Sequence, residues 1–136
     1  MRFLFSLFTI LVFFISFGIS AQNAEISITF TGIKTAKGQV LVELKNAKGE
    51  VVGGYFVPVT QAGNLVFTVK NIKPGKYAVS AFHDKNSDEK LNTNMFGLPT
   101  EVYGFSNDAR GMFGPPDLAE QLFSVAGDTK ISIVLK

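Results

Sequence analysis

The chain has 136 residues, with thirteen basic and eleven acidic side chains scattered singly along it. This pattern argues against a nucleic-acid footprint and against a polybasic membrane patch. With no cysteine and a single histidine, disulfide staples, a lipid-modified cysteine and a Cys/His zinc centre are excluded, so stability must come from packing or a bound ion.

Residues 1–21 place Arg2 before an apolar run from Phe3 to Phe17, followed by Gly18, Ile19, Ser20 and Ala21. That order is the charged, apolar and cleavage-region sequence of a secretory signal. A retained anchor is the rival reading, but a spanning helix needs about 20 apolar residues and this run is shorter. Cleavage after Ala21 is expected, leaving a periplasmic or extracellular protein of residues 22–136 with no membrane insertion. That length suits one domain.

Glu25 to Phe30 alternates, with Ile26, Ile28 and Phe30 apolar, which predicts a half-buried strand. After a loop from Gly32 to Gly38, Val40, Val42 and Leu44 alternate in a second strand, expected beside the first in one sheet. Val51 to Val59 is interrupted by Gly53-Gly54 and ends near Pro58, which suits an edge strand. Leu65, Phe67 and Val69 mark a fourth strand. The Lys73-Pro74-Gly75 turn then leads into Tyr77, Val79 and Ala81. By period two, His83 shares the face of Tyr77 and Asp84 takes the opposite one. Gln121 to Val125 and Lys130 to Leu135 complete about seven strands, with a short helix possible only over 116–122. The expected fold is an all-β antiparallel sandwich.

Between Asp84 and Glu120 the chain is rich in Asn, Asp, Gly and Pro without a sustained period. A segment of that length is uncommon unless functional or disordered, and its many apolar residues argue against disorder. It is expected to be an ordered insert folded back over one end of the sandwich, its apolar residues forming a small core of their own.

Within the insert, Asp84, Asn86, Asp88, the Lys90 carbonyl and Asn92 form a ladder of oxygen donors at alternate positions. A hard cation such as calcium takes six to eight oxygens, and a tight loop can turn alternate residues inward to supply them. The ladder has Glu89 where the sharp turn favours Gly, and Met95 where a bidentate Glu would close the shell. A helix-loop-helix site is therefore excluded, and a missing ligand would have to come from Glu101, Asn107 or Asp108. The competing reading is a plain Asx-rich turn.

His83 reads as a hydrogen-bonded structural residue. A triad of Ser106, His83 and Asp84 is poor chemistry, because neighbouring strand residues point to opposite faces. The segment from Phe96 to Asn107 offers a second site, an aromatic-lined pocket for a small molecule or carbohydrate using His83, Phe96, Glu101, Tyr103, Phe105 and Asn107.

The run Pro74-Gly75-Lys76-Tyr77, then His83-Asp84-x-Asn86, Lys90-Leu91 and Asn94-x-Phe96-Gly97-x-Pro99-x-Glu101-x-Tyr103-Gly104-Phe105-Ser106-Asn107, resembles the bacterial exported-protein family catalogued as domain of unknown function 2141. The resemblance implies a prealbumin-like or immunoglobulin-like sandwich and brings no activity with it. Family members commonly carry Asn-Gly after the third rung of the ladder and Asp at its ninth position. Here Asp88-Glu89 and Asn92 stand instead. The functional expectation is a non-enzymatic exported binding or structural module with a protein or small-molecule partner. Its insert would be held by calcium, or its aromatic segment would form a ligand pocket.

Overall fold

A computed structural model describes residues 22–136. The expected secretory signal over residues 1–21 lies outside them. The described chain folds as an all-β protein of two sheets. Its strands are β1 (Ala24–Ile33), β2 (Gln39–Asn46), β3 (Val51–Pro58), β4 (Gly63–Ile72), β5 (Gly75–Asp84), β6 (Tyr103–Phe105), β7 (Phe123–Val125) and β8 (Thr129–Val134), with a 3-10 turn over Ser106–Asp108 and a short α-helix α1 (Leu118–Gln121). Each expected strand is present, though the one expected over 121–125 is shortened to β7 because Gln121 closes α1, and β6 inside the insert is an additional one.

One sheet is ordered β4-β1-β8, the other β3-β2-β5-β6, with β7 beside the start of β5. β1 and β2 are therefore not neighbours, contrary to the sequence expectation. β1 pairs antiparallel with β4 and parallel with β8, while β2 lies between β3 and β5. Period-two alternation states which face of a strand is buried. It does not state which sheet the strand joins, and the loop over 34–38 carries the chain across from one sheet to the other. At its end Gly38 has a φ of +74°, and a Cβ there would strike the Asp84 carbonyl oxygen. Only glycine permits this approach of β2 to the end of β5.

The inward residues of both sheets form one core. Ile26, Ile28 and Phe30 of β1 and Ile133 of β8 face Val40, Val42 and Leu44 of β2 and Val79 and Ala81 of β5. Burying each of the Val, Leu, Ile and Phe side chains contributes about 1.5–3 kcal/mol, so this layer dominates stability. On one side Tyr55 and Phe67 close the gap between the sheets, with ring centroids 5.2 Å apart. On the other the closure uses backbone. The Lys136 N–H donates to the Tyr103 carbonyl (3.0 Å), the Tyr103 N–H reaches the Lys136 carbonyl (3.4 Å), and Arg110 donates to the Val134 carbonyl (3.0 Å). β6 thus links the five-stranded sheet to the C-terminal strand of the other.

The insert carries less core than expected. Val102, Tyr103 and Phe105 are half-buried, but Met95, Phe96, Leu98, Met112 and Phe113 are 61–99% exposed. The tip needs no core because it is closed locally. Asn94 Oδ1 accepts from the N–H of Phe96 (2.9 Å) and Leu98 (3.1 Å), and the Asn94 N–H donates to the Leu98 carbonyl (2.9 Å). Such Asx turns hold a loop by its own side chain.

Candidate functional site

β5 ends with two buried polar residues on opposite faces, His83 on the core side and Asp84 beneath the insert. His83 Nε2 lies 2.7 Å from the Lys37 carbonyl oxygen. A carbonyl can only accept, so Nε2 carries the proton. Nδ1 is buried and has no hydrogen-bond partner among the described residues. The ring ties the loop before β2 to the end of β5 and faces away from the insert.

Asp84 organises the ladder. Its Oδ1 accepts from the Asp88 N–H (3.2 Å), and its Oδ2 accepts from the Glu89 N–H (2.9 Å) and from Gln39 Nε2 (3.1 Å). Ser87 and Glu89 adopt positive φ of 57° and 63°. This is the sharp turn for which the sequence offered no glycine at the sixth position. Asp88 gathers the remaining rungs, accepting from Asn86 Nδ2 (3.1 Å), Asn92 Nδ2 (2.9 Å) and the Lys90 N–H (3.0 Å). These donors, the Asn92 amide foremost and then the Lys90 N–H, hold its carboxyl below the usual 3.8. The ladder residues therefore do converge on one loop, with the two Asn side chains donating their amides to Asp88. Among the described residues no three His, Cys, Asp or Glu side chains are grouped so as to hold a metal ion.

Glu101 is buried and clamps the base of the insert, its Oε1 accepting from the Lys85 N–H (2.9 Å) and its Oε2 from the Asn92 N–H (3.2 Å). Asn107, at a φ of 60°, donates to the carbonyls of Glu120 (3.0 Å) and Leu122 (2.9 Å). Ser106 is buried, accepts from the Val79 N–H (2.9 Å) and donates to the Gln121 carbonyl. Ser106, His83 and Asp84 are each engaged with backbone groups of other segments. The three do not form a triad.

Beside the ladder a cavity of about 530 Å³ opens on the outer face of the five-stranded sheet. Its floor is Leu41 and Glu43 of β2, Ser80 and Phe82 of β5, and Tyr103 and Phe105 of β6, with Phe56 of β3 at one side and Glu89 and Leu91 of the insert at the other. Register explains the cluster, since Leu41 lies opposite both Phe56 and Phe82, and Phe82 opposite Tyr103. The Tyr103 and Phe105 rings meet edge to face at 6.0 Å, and Arg110 sits 5.7 Å from the Tyr103 centroid. Glu43 pairs with Lys45 at 2.9 Å.

Of the six residues expected to form a pocket, Tyr103 and Phe105 line this cavity. His83 faces the core, Glu101 and Asn107 hold backbone, and Phe96 is 80% exposed at the insert tip. The lining from β2, β3 and β5 was not anticipated. Its signal was present in strands apolar on both phases of alternation, such as Leu41 among Val40 and Val42, and Phe82 beside Ala81. Apolar residues on both faces mean that both are to be covered.

Comparison with curated proteins finds no match. The family model described as an uncharacterized protein conserved in bacteria, DUF2141, matches residues 28–133, a span running from β1 to β8 and including the whole insert, and the chain belongs to that family.

Proposed function

We propose that this protein is a non-enzymatic exported module that binds a small, largely apolar molecule on the outer face of the five-stranded sheet. The observation that carries the reading is the cavity lined by Leu41, Phe56, Phe82, Leu91, Tyr103 and Phe105. Its volume falls within the roughly 300–1,000 Å³ of small-molecule sites, and its few polar groups are of the kind that orient a ligand. Glu43, Ser80 and Glu89 supply acceptors at an apolar floor. The ligand class is a neutral ring or short aliphatic body bearing a hydrogen-bond donor, a description that includes a sugar stacked on Tyr103. N-phenyl-1-naphthylamine, a neutral aromatic amine, is a suitable fluorescent probe. Saturable binding at about 10 µM or tighter is expected, weakened roughly tenfold by Phe82→Ala or Tyr103→Ala with the fold retained. Non-saturable binding, or full affinity in both variants, would overturn the assignment.

A second reading concerns the insert, which calcium would brace in a structural role. It is supported by Asp84 accepting from the N–H groups four and five residues on, by the positive φ of Glu89, and by the convergence of Asn86, Asp88 and Asn92. Both Asn side chains would turn their oxygens inward, with the Lys90 carbonyl as a further ligand. Thermal unfolding with chelator and with added calcium tests it. An ion bound only by the folded state must raise the midpoint, so identical midpoints exclude it.

A further inference from the structure

The edges of the two sheets are treated unequally. β6 is tied to Lys136 and Arg110, and β4 at its own edge carries Lys70. β3 pairs with β2 on one side, and among the described residues no strand pairs with its other side. Its sequence from Val51 to Pro58 contains no charge. A bulge at Val52 and Pro58 blunt its two ends, but the stretch from Gly53 to Val57 between them is uncharged and open, which natural sheets avoid unless another strand covers it.

The phase of the ladder identifies the groups that face outward. The Val59 N–H donates to the Gly38 carbonyl (3.0 Å), continuing the register in which Val57 lies opposite Val40 and Tyr55 opposite Val42. In an antiparallel pair hydrogen-bonded positions alternate. From Gly53 to Val57, on the near side of the bulge at Val52, odd-numbered residues of β3 therefore bond to β2, and the N–H and C=O of Gly54 and Phe56 point to the open edge. The Phe56 side chain is 56% exposed, and the space where Gly54 would carry a Cβ is empty to beyond 4 Å.

We propose that the occupant of this edge is β3 of a second copy, antiparallel about a two-fold axis at Tyr55. In that register Gly54 of each chain bonds with Phe56 of the other, and each Phe56 ring lies over the partner's bare Gly54 position. The contact is isologous and closes as a dimer. The two sheets join into one, and the two ligand cavities, each bordered by Phe56, come together across the seam. An acidic or basic peptide gains nothing from an edge without charge, whereas a second copy supplies both the extended backbone and the ring that fits the gap.

The test uses the chain expressed at full length and purified as the cell processes it. Sedimentation should show a dimer at about 100 µM that dissociates toward about 1 µM, as a small edge contact requires. Hydrogen exchange at Gly54 and Phe56 should slow at least tenfold over the same range. Phe56→Lys and Gly54→Val should each abolish the dimer while leaving the unfolding midpoint at about 1 µM, where the chain is monomeric, unchanged, and Phe96→Lys should leave the dimer intact. A monomer at every concentration overturns the proposal. So does a dimer in which the Gly54 and Phe56 amides still exchange freely, or one that Phe96→Lys disrupts.

Discussion

Asp84→Ala removes the carboxylate on which the insert is built. Asp84 is fully buried and accepts three hydrogen bonds, from the N–H groups of Asp88 and Glu89 and from Gln39 Nε2. A hydrogen bond to a charged group contributes about 1.5–3 kcal/mol net. Asp88 and Glu89 are exposed, so water replaces part of the loss, and removing a buried charge relieves its desolvation. A net cost of about 2–3 kcal/mol remains, or roughly 10 °C in midpoint for a domain of this size. Urea unfolding should show the midpoint fall with an unchanged slope, and exchange at the Asp88 and Glu89 amides should quicken. Asp84→Asn keeps one acceptor oxygen but sets an amide NH2 against a backbone donor, so about half of the loss is expected. A cost for Asp84→Ala below about 0.5 kcal/mol, the range of ordinary surface changes, would refute the view that this residue organises the insert.

Gly104 lies where β6 crosses β8, and a Cβ there would stand 2.5 Å from the Val134 carbonyl oxygen and 2.8 Å from Ile133 Cγ2. Gly104→Val should therefore cost about 2–3 kcal/mol in urea unfolding and free the Lys136 amide to exchange, because a backbone carbonyl cannot rotate away. Glu101→Gln keeps only one of two acceptor oxygens. Faster exchange at Lys85 or Asn92 is expected while the core amides stay protected, as for a local opening. The Asp88 carboxyl, held below 3.8 in the folded protein, favours folding above its unfolded value, and that contribution is lost as pH falls through the folded value. A carboxyl-carbon titration should place the Asp88 midpoint below 3.8, with exchange at Lys90 quickening across the same range. A midpoint at or above 3.8 would contradict the hydrogen-bond arrangement.

Of the eight described strands, β1, β2, β4, β5 and β8 could be read from alternation, because each has one face against a common core and period two records that directly. β3 was legible only as an interrupted run, and β7 only as the tail of the 121–125 run before the Gly127-Asp128 turn. β6 was not legible. Tyr103-Gly104-Phe105 is too short for a periodic signal, and it becomes a strand only because β5 offers it an edge and Gly104 lets it approach β8. The ladder from Asp84 to Asn92 was visible as a local cluster, since side chains four residues apart in a tight loop meet without help from the fold. The cavity was visible only in part. Tyr103 and Phe105 stood out in the insert, whereas Leu41, Phe56 and Phe82 come from three separate strands and converge through register.

By itself the sequence determined the all-β class, the strand positions, the inward faces and the loop that gathers around Asp84, all of which rest on interactions between residues near in the chain. The tertiary structure alone decided that β1 and β2 belong to different sheets, that the apolar tip of the insert stays exposed, and that the outer faces of β2, β3, β5 and β6 make one cavity. These depend on which strands hydrogen-bond, and backbone groups that are alike at every residue leave that choice to the packing of the whole.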